Sequence, residues 1–186
     1  MKKYLFLAMI LLTPMSVFSQ SLSAYGVSLG DSIYEVENVL EDKGKTVKHS
    51  TNKRGEDLLR ISNPSIGGAS FDSVAFVFNK NDELRLISFY TGDTGGTGTP
   101  GAPWEAEFNR TATKCRNAFL TMSQNLVAKY GEPTAYSNST AIWQMGNEKI
   151  ELVYKYIYEP DQYGWILHEV SVSLTYEMID LENSDF

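Results

Sequence analysis

Two rhythms of apolar and polar residues follow one another along this chain, and the pair recurs. Ile33, Val36, Val39 and Leu40 fall on one face at helical spacing, just after Gly30-Asp31-Ser32. Ser32 and Glu35 have the S-x-x-E spacing of a capping box, and Gly44 supplies the stop, so a short amphipathic helix is predicted between them. From residue 46 the period changes to two. Val74, Phe76 and Phe78 alternate with Ser73, Ala75 and Val77, the polar run Asn79-Lys80-Asn81-Asp82 marks a turn, and 84–90 returns as the partner strand. Weaker strands are expected near Val47 and over 58–62.

The helical rhythm then comes back. Trp104, Phe108, Ala112, Cys115, Phe119, Met122, Leu126 and Tyr130 stand three or four residues apart, which predicts a long helix over 104–130. Gly131-Glu132-Pro133 ends it, because proline cannot continue a helix. Strands follow around 140–145, 150–158 and 165–176. In the last of these Val170, Val172, Leu174 and Tyr176 alternate with Ser171, Ser173 and Thr175, the pattern of a sheet with one buried and one wet face. Between the two sets, residues 91–103 hold five glycines, four threonines and two prolines, which reads as a linker. The expected organisation is a secretory signal over 1–19, a first helix-plus-strands unit over 20–90, the linker over 91–103 and a second unit over 104–186. The fold class is α+β: two tandem helix-plus-antiparallel-strand repeats sharing one sheet, with both helices on one face. Placing Gly44 on Gly131 sets Ile33 against Leu120 and Val39 against Leu126.

Three stretches carry a resemblance. Gly26-Val27-Ser28-Leu29-Gly30-Asp31 leads into the first helix, Ser73-Val74-Ala75-Phe76-Val77-Phe78 into its hairpin, and Lys129-Tyr130-Gly131-Glu132-Pro133 precedes a tryptophan strand. Together they resemble small exported bacterial proteins whose architecture is similar to the β-lactamase-inhibitor-protein fold, two helix-plus-sheet repeats in tandem. A small outer-membrane assembly lipoprotein is the one-repeat relative. The resemblance implies a binding or assembly scaffold without catalytic residues. This chain has no cysteine after its signal, so the lipid anchor of that relative is not expected.

Composition changes the picture in one respect. The chain has 186 residues and a formal charge of −7, but the signal carries Lys2 and Lys3 ahead of an apolar run over 4–12 and a Val17-Phe18-Ser19 cleavage box. The remaining chain has 14 basic and 23 acidic residues, a charge of −9. An acidic surface disfavours nucleic acid and anionic membranes, which are bound by releasing or neutralising counterions. The apolar run is too short to span a bilayer. Nearly all the excess charge lies beyond residue 130, where ten acids face only Lys149 and Lys155.

Candidate chemistry is sparse. Cys115 lies between Lys114 and Arg116 but on the apolar stripe of the long helix, so a buried structural thiol is expected. His49 and His168 are the only histidines, too few for a metal site, and His168 shares parity with Val170 and Val172. Gly96-Thr97-Gly98-Thr99-Pro100-Gly101 matches G-x-G-x-x-G without the parallel βαβ unit that gives the motif meaning. No cofactor, metal or catalytic residue is assigned. The remaining signal is aromatic. Tyr154, Tyr156 and Tyr158 share one side of a strand, and Tyr163 and Trp165 follow around a turn at Pro160-Asp161. Packing on a half-buried sheet accounts for such residues most simply. Alternatively Tyr158, Tyr163 and Trp165 cluster at a hairpin tip as rigid anchors for a partner. On this reading the chain is a non-enzymatic exported binding module that recognises an envelope or extracellular protein. A carbohydrate-binding module using the same aromatics, and an envelope assembly or structural protein, are the alternatives.

Overall fold

A computed structural model describes residues 22–179; the signal expected over 1–19 lies outside them. A small hairpin, β1 (Ser23–Ala24) and β2 (Val27–Ser28), leads into helix α1 (Ile33–Asp42). Strands β3 (Lys48–Thr51) and β4 (Asp57–Ser62), the two-residue pair β5 (Ser65–Ile66) and β6 (Ala69–Ser70), and then β7 (Ser73–Phe78) and β8 (Leu84–Gly98) follow. Helix α2 (Trp104–Tyr130) precedes β9 (Ala135–Tyr136), β10 (Thr140–Met145), β11 (Glu148–Pro160) and β12 (Ile166–Met178). Eight of the strands form one antiparallel sheet in the order β3-β4-β7-β8-β12-β11-β10-β9. No helix among the described residues is long and apolar enough to cross a membrane.

Local chemistry accounts for the element ends. The Ser32 hydroxyl accepts from the Glu35 N–H at 3.3 Å while the Glu35 carboxylate accepts from the Ser32 N–H at 2.8 Å, so the capping box forms. Three hairpins share one turn. Asn52, Asn79 and Asp161 each accept, through Oδ1, from the main-chain N–H groups two and four residues on. In each, the residue three positions on is left-handed: Gly55, Asp82 and Gly164, at φ 78°, 59° and 79°. This is a type I turn closed by a left-handed residue, and an Asx side chain at its first position satisfies the turn's own donors.

The sheet buries one face. Val74 pairs with Phe89, Phe89 with Leu174 and Leu174 with Leu152, so apolar residues of one parity run unbroken across four strands. They join a single core with Val36 and Leu40 of α1 and with Phe108, Cys115, Phe119, Met122 and Leu126 of α2. The predicted stripe of α2 is therefore its buried face, and each fully buried large side chain contributes roughly 1.5–3 kcal/mol. Ser88, Ser171, Ser173, Thr175, Glu151 and Glu177 lie on the opposite, wetter face, as the alternation over 170–176 requires.

The expected linker is corrected by the structure. β8 does not stop at Tyr90; it pairs with β12 as far as Gly98 opposite Ile166, leaving only 99–103 as a turn. Glycine and threonine enter this strand because of what packs on it. A Cβ on Gly92 would meet the Val170 carbonyl, one on Gly96 would lie 3.3 Å from the His168 ring, and one on Gly98 would overlap the Trp104 indole. Strand character here comes from the partner strand and not from intrinsic propensity.

Candidate functional site

β7 covers β8 only through the Ser73–Tyr90 pair, and β10 covers β11 only through the Thr140–Val153 pair. Beyond those points β8, β12 and β11 continue as three strands for about seven residues, roughly 24 Å. The turn over 161–165 caps this extension, and the first half of α2 lies on one of its faces.

That face holds an aromatic cluster. Trp104 stacks on His168 with ring centroids 4.1 Å apart and planes at 11°, and its Nε1–H donates to the Thr99 carbonyl at 3.1 Å. Phe108 packs against Tyr156, Tyr158 and His168 at 5.7, 5.8 and 5.3 Å. The Tyr158 hydroxyl donates to Glu105 at 2.7 Å, a bond that holds its proton and raises its pKa. His168 is buried, and its Nδ1 has no hydrogen-bond partner among the described residues.

The three residues singled out by sequence do not form one cluster. Tyr158 pairs with His168 and turns toward α2, retaining 39 % exposure. Trp165 precedes Ile166, so the pleat sets it on the other face beside Leu167, while Tyr163 sits in the turn. Tyr163, Trp165 and Leu167 are 77, 47 and 44 % exposed. Leu167 escaped the sequence reading, although its i, i+2 relation to Trp165 was available. Glu159 faces Leu167 across the ladder, and Asp161 is used inside the turn, so an apolar patch with an acidic rim covers the outer face of the tip.

Elsewhere the structure places the remaining candidates in structural roles. Cys115 is fully buried, its S–H reaches toward the Thr91 carbonyl at 3.5 Å, and burial, reinforced by Asp72, pushes its pKa to about 11. Asp72 ties α2 to β8 by accepting from Lys114 at 2.6 Å and from Thr91 at 2.5 Å. Burial opposes its ionisation, but these bonds and one from the Gly92 N–H outweigh that and hold its pKa low. His49 pairs with Glu37 at 2.7 Å on the edge strand β3, four strand spacings from β12 and so about 19 Å or more from His168. No group of three or more His, Cys, Asp and Glu side chains among the described residues is arranged to hold a metal ion. Gly96 and Gly98 lie in an antiparallel ladder, which removes the phosphate-loop reading of that motif.

A groove of about 450 Å³ runs beside α2, lined by Asn109, Ala112, Thr113, Arg116, Tyr154 and Tyr156. A second, of about 320 Å³, lies where β1 and the turn after it, β5 and the later turns of α2 meet Tyr176. Neither brings an acid and a base to one point. No family model, no curated protein and no solved structure matches the chain.

Proposed function

We propose that this chain is a non-enzymatic exported binding module that recognises a protein through the outer face of its three-stranded tip. The observation that carries the reading is the exposed group Tyr163, Trp165 and Leu167 at the end of an extension whose opposite face is packed under α2. Such side chains add nothing to the core, and rigid aromatic area at a projecting tip is what anchors partners. The acidic rim favours a partner whose socket is apolar with a basic border. A sugar would need hydrogen-bonding groups beside the Trp165 ring, and Asp161 Oδ1, one such group of the tip, already accepts from the Tyr163 and Trp165 N–H groups. A protein partner is therefore preferred to the carbohydrate reading.

The same proposal includes an internal duplication of the β-lactamase-inhibitor-protein kind. α1 precedes β3, β4, β7 and β8, α2 precedes β9 to β12, and the last strand of each set meets the other at the centre of the sheet, as two repeats related by a two-fold axis would. The helices have diverged. α1 has 10 residues and α2 has 27, and Leu120, set against Ile33, is exposed.

The test is a pull-down from envelope extract using the chain and its Tyr163→Ala, Trp165→Ala, Leu167→Ala triple variant. The variant is expected to keep its circular dichroism and melting temperature and to lose capture at least about tenfold, since anchor truncations commonly cost 2 kcal/mol or more. Capture unchanged by the triple variant removes the tip as the site, and capture of glycans alone replaces the protein reading by the carbohydrate one.

A further inference from the structure

Among the described residues no strand covers the outer edge of β11 beyond Tyr154, whose N–H donates to the Ser139 carbonyl at 2.7 Å. In an antiparallel ladder alternate residues turn both main-chain groups to the same side. Tyr156 and Tyr158 therefore turn N–H and C=O outward, as Tyr154 does, while Lys155, Ile157 and Glu159 turn theirs to β12. The register with β12 runs unbroken from Glu148 to Pro160, so these two residues present donors and acceptors in regular order to one short added strand. That strand is limited at both ends. Pro160 has no N–H, and Ser139 already fills the place opposite Tyr154, about 7 Å from the place opposite Tyr156. Antiparallel pairing, the more stable kind, runs an added strand from the tip toward Ser139. A carboxyl terminus opposite Tyr156 meets that block without having to turn away from the sheet.

The groove of about 450 Å³ beside this edge carries the matching charge, since Arg116 lines it together with Asn109, Thr113 and the rings of Tyr154 and Tyr156. α2 runs opposite to β11, with Phe108 on Tyr156 and Tyr158 and Phe119 on Tyr154. Arg116 therefore stands toward the Tyr154 end of the groove, where its charge acts on the Tyr154 hydroxyl, and Asn109 stands toward the tip. The cations around it are already paired: Lys114 with Asp72 at 2.6 Å, Arg110 with Glu107 at 3.4 Å and Lys155 with Glu169 at 2.7 Å. Arg116 has no ion pair or hydrogen bond among the described residues, in a chain whose formal charge is −7. We propose that this groove binds the carboxyl-terminal residues of a partner polypeptide as an added antiparallel strand, with the carboxylate on Arg116. A guanidinium matches a carboxylate in shape as well as charge. The last residue pairs with Tyr156 and the third from last with Tyr158. Directly opposed residues share a face, so those two side chains lie on the α2 side, against the tyrosine rings, and the penultimate one lies on the outer face beside Ile157. The ring surface favours an apolar last residue.

This site is separate from the outer face of the tip, so either can fail alone: envelope capture reads the tip, and peptide binding reads the edge. The probe is an array of synthetic hexapeptides varied at the last and third-from-last positions, made once with free carboxylates and once as amides, with fluorescence polarisation on the members that bind. Free-carboxylate members with an apolar last residue are expected to bind, and amidation or Arg116→Gln to weaken binding at least about tenfold, Arg116→Lys recovering part of the loss. Arg116 is exposed, so both substitutions are expected to leave the melting temperature unchanged. N-methylation of the last or third-from-last residue removes an N–H aimed at the Tyr156 or Tyr158 carbonyl and is expected to abolish binding. At the penultimate residue, whose N–H points away from β11, it is expected to change affinity by no more than about threefold. No binding by any member at about 1 mM, equal binding of acids and amides, or damage confined to penultimate N-methylation overturns the proposal. A uronic-acid oligosaccharide held through Arg116 while every peptide is refused overturns it in favour of an acidic sugar.

Discussion

Gly98→Ala tests whether the aromatic cluster shapes the end of β8. The φ of Gly98 is not in the left-handed region, so alanine is conformationally acceptable there, and its cost comes from space alone. The added methyl would sit 2.9 Å from Trp104 Cδ1 and nearer still to Nε1 and Cε2. The ring must withdraw by roughly 1 Å or more to regain contact near 3.5 Å. Withdrawal breaks the 3.1 Å bond to the Thr99 carbonyl and the 4.1 Å stack on His168. The lost bond is worth about 1 kcal/mol net and the stack about 0.5–1.5, while overpacking by one methyl costs about 1–3. These overlap, so about 2–4 kcal/mol is expected, a large share of the roughly 5–15 kcal/mol of a typical domain. Urea unfolding followed by circular dichroism reads this as a fall in midpoint of about 1–2 M with the slope unchanged. In a Trp104→Ala background the obstruction is gone, and Gly98→Ala is expected to be neutral or to stabilise by up to about 1 kcal/mol through the unfolded chain. A single-variant cost within about 0.5 kcal/mol of zero, or the same cost in both backgrounds, refutes the account.

Two further outcomes follow from the α2 to β8 seam. With a pKa of about 11, Cys115 holds about one thiolate in ten thousand near pH 7, so iodoacetamide is expected to leave it unmodified in the folded chain and to alkylate it fully in denaturant; rapid native labelling would place the thiol outside the core. The Asp72 carboxyl has a lowered folded pKa, so its stabilisation is complete above the unfolded value of about 3.9 and is lost as pH falls through the folded one. Its side chain is 46 % exposed, which limits the loss in Asp72→Asn to about 0.5–1 kcal/mol at neutral pH, and the difference from the parent is expected to narrow from neutral to acid pH as the carboxyl protonates. Melting curves that stay equally separated at both pH values would show that charge is not the cause.

How much could be read in advance divides along physical lines. Val74, Phe76 and Phe78 declared a strand because alternation records which side of a pleat is wet, and the stripe from Phe108 to Leu126 declared a helix for the corresponding reason. Residues 91–98 were illegible as strand, because their composition reflects Trp104, His168 and the β12 backbone lying against them, and that proximity exists only after folding. The candidate site was half legible. Parity correctly gave Tyr154, Tyr156 and Tyr158 a common side, but nothing in their spacing says that α2 covers it, and the turn that brings Trp165 close to Tyr158 along the chain also turns it to the opposite face. The two-residue hairpins β1–β2 and β5–β6 gave no periodic signal because two residues are too few to show one.

The strand at the centre of the sheet is also the last of the described strands to be synthesised. Every hairpin in the first half can close as soon as its turn emerges, but β8 acquires its inner neighbour only with β12, about eighty residues later. The Leu22 N–H likewise waits for the Glu148 carboxylate, 126 positions on. Contacts so far apart in sequence form slowly. During synthesis the first half is therefore a set of hairpins with an unsealed edge, and commitment to the native sheet is deferred until β12 has been made. A polypeptide with this order of assembly stays threadable for longer than one whose core closes from its N-terminus.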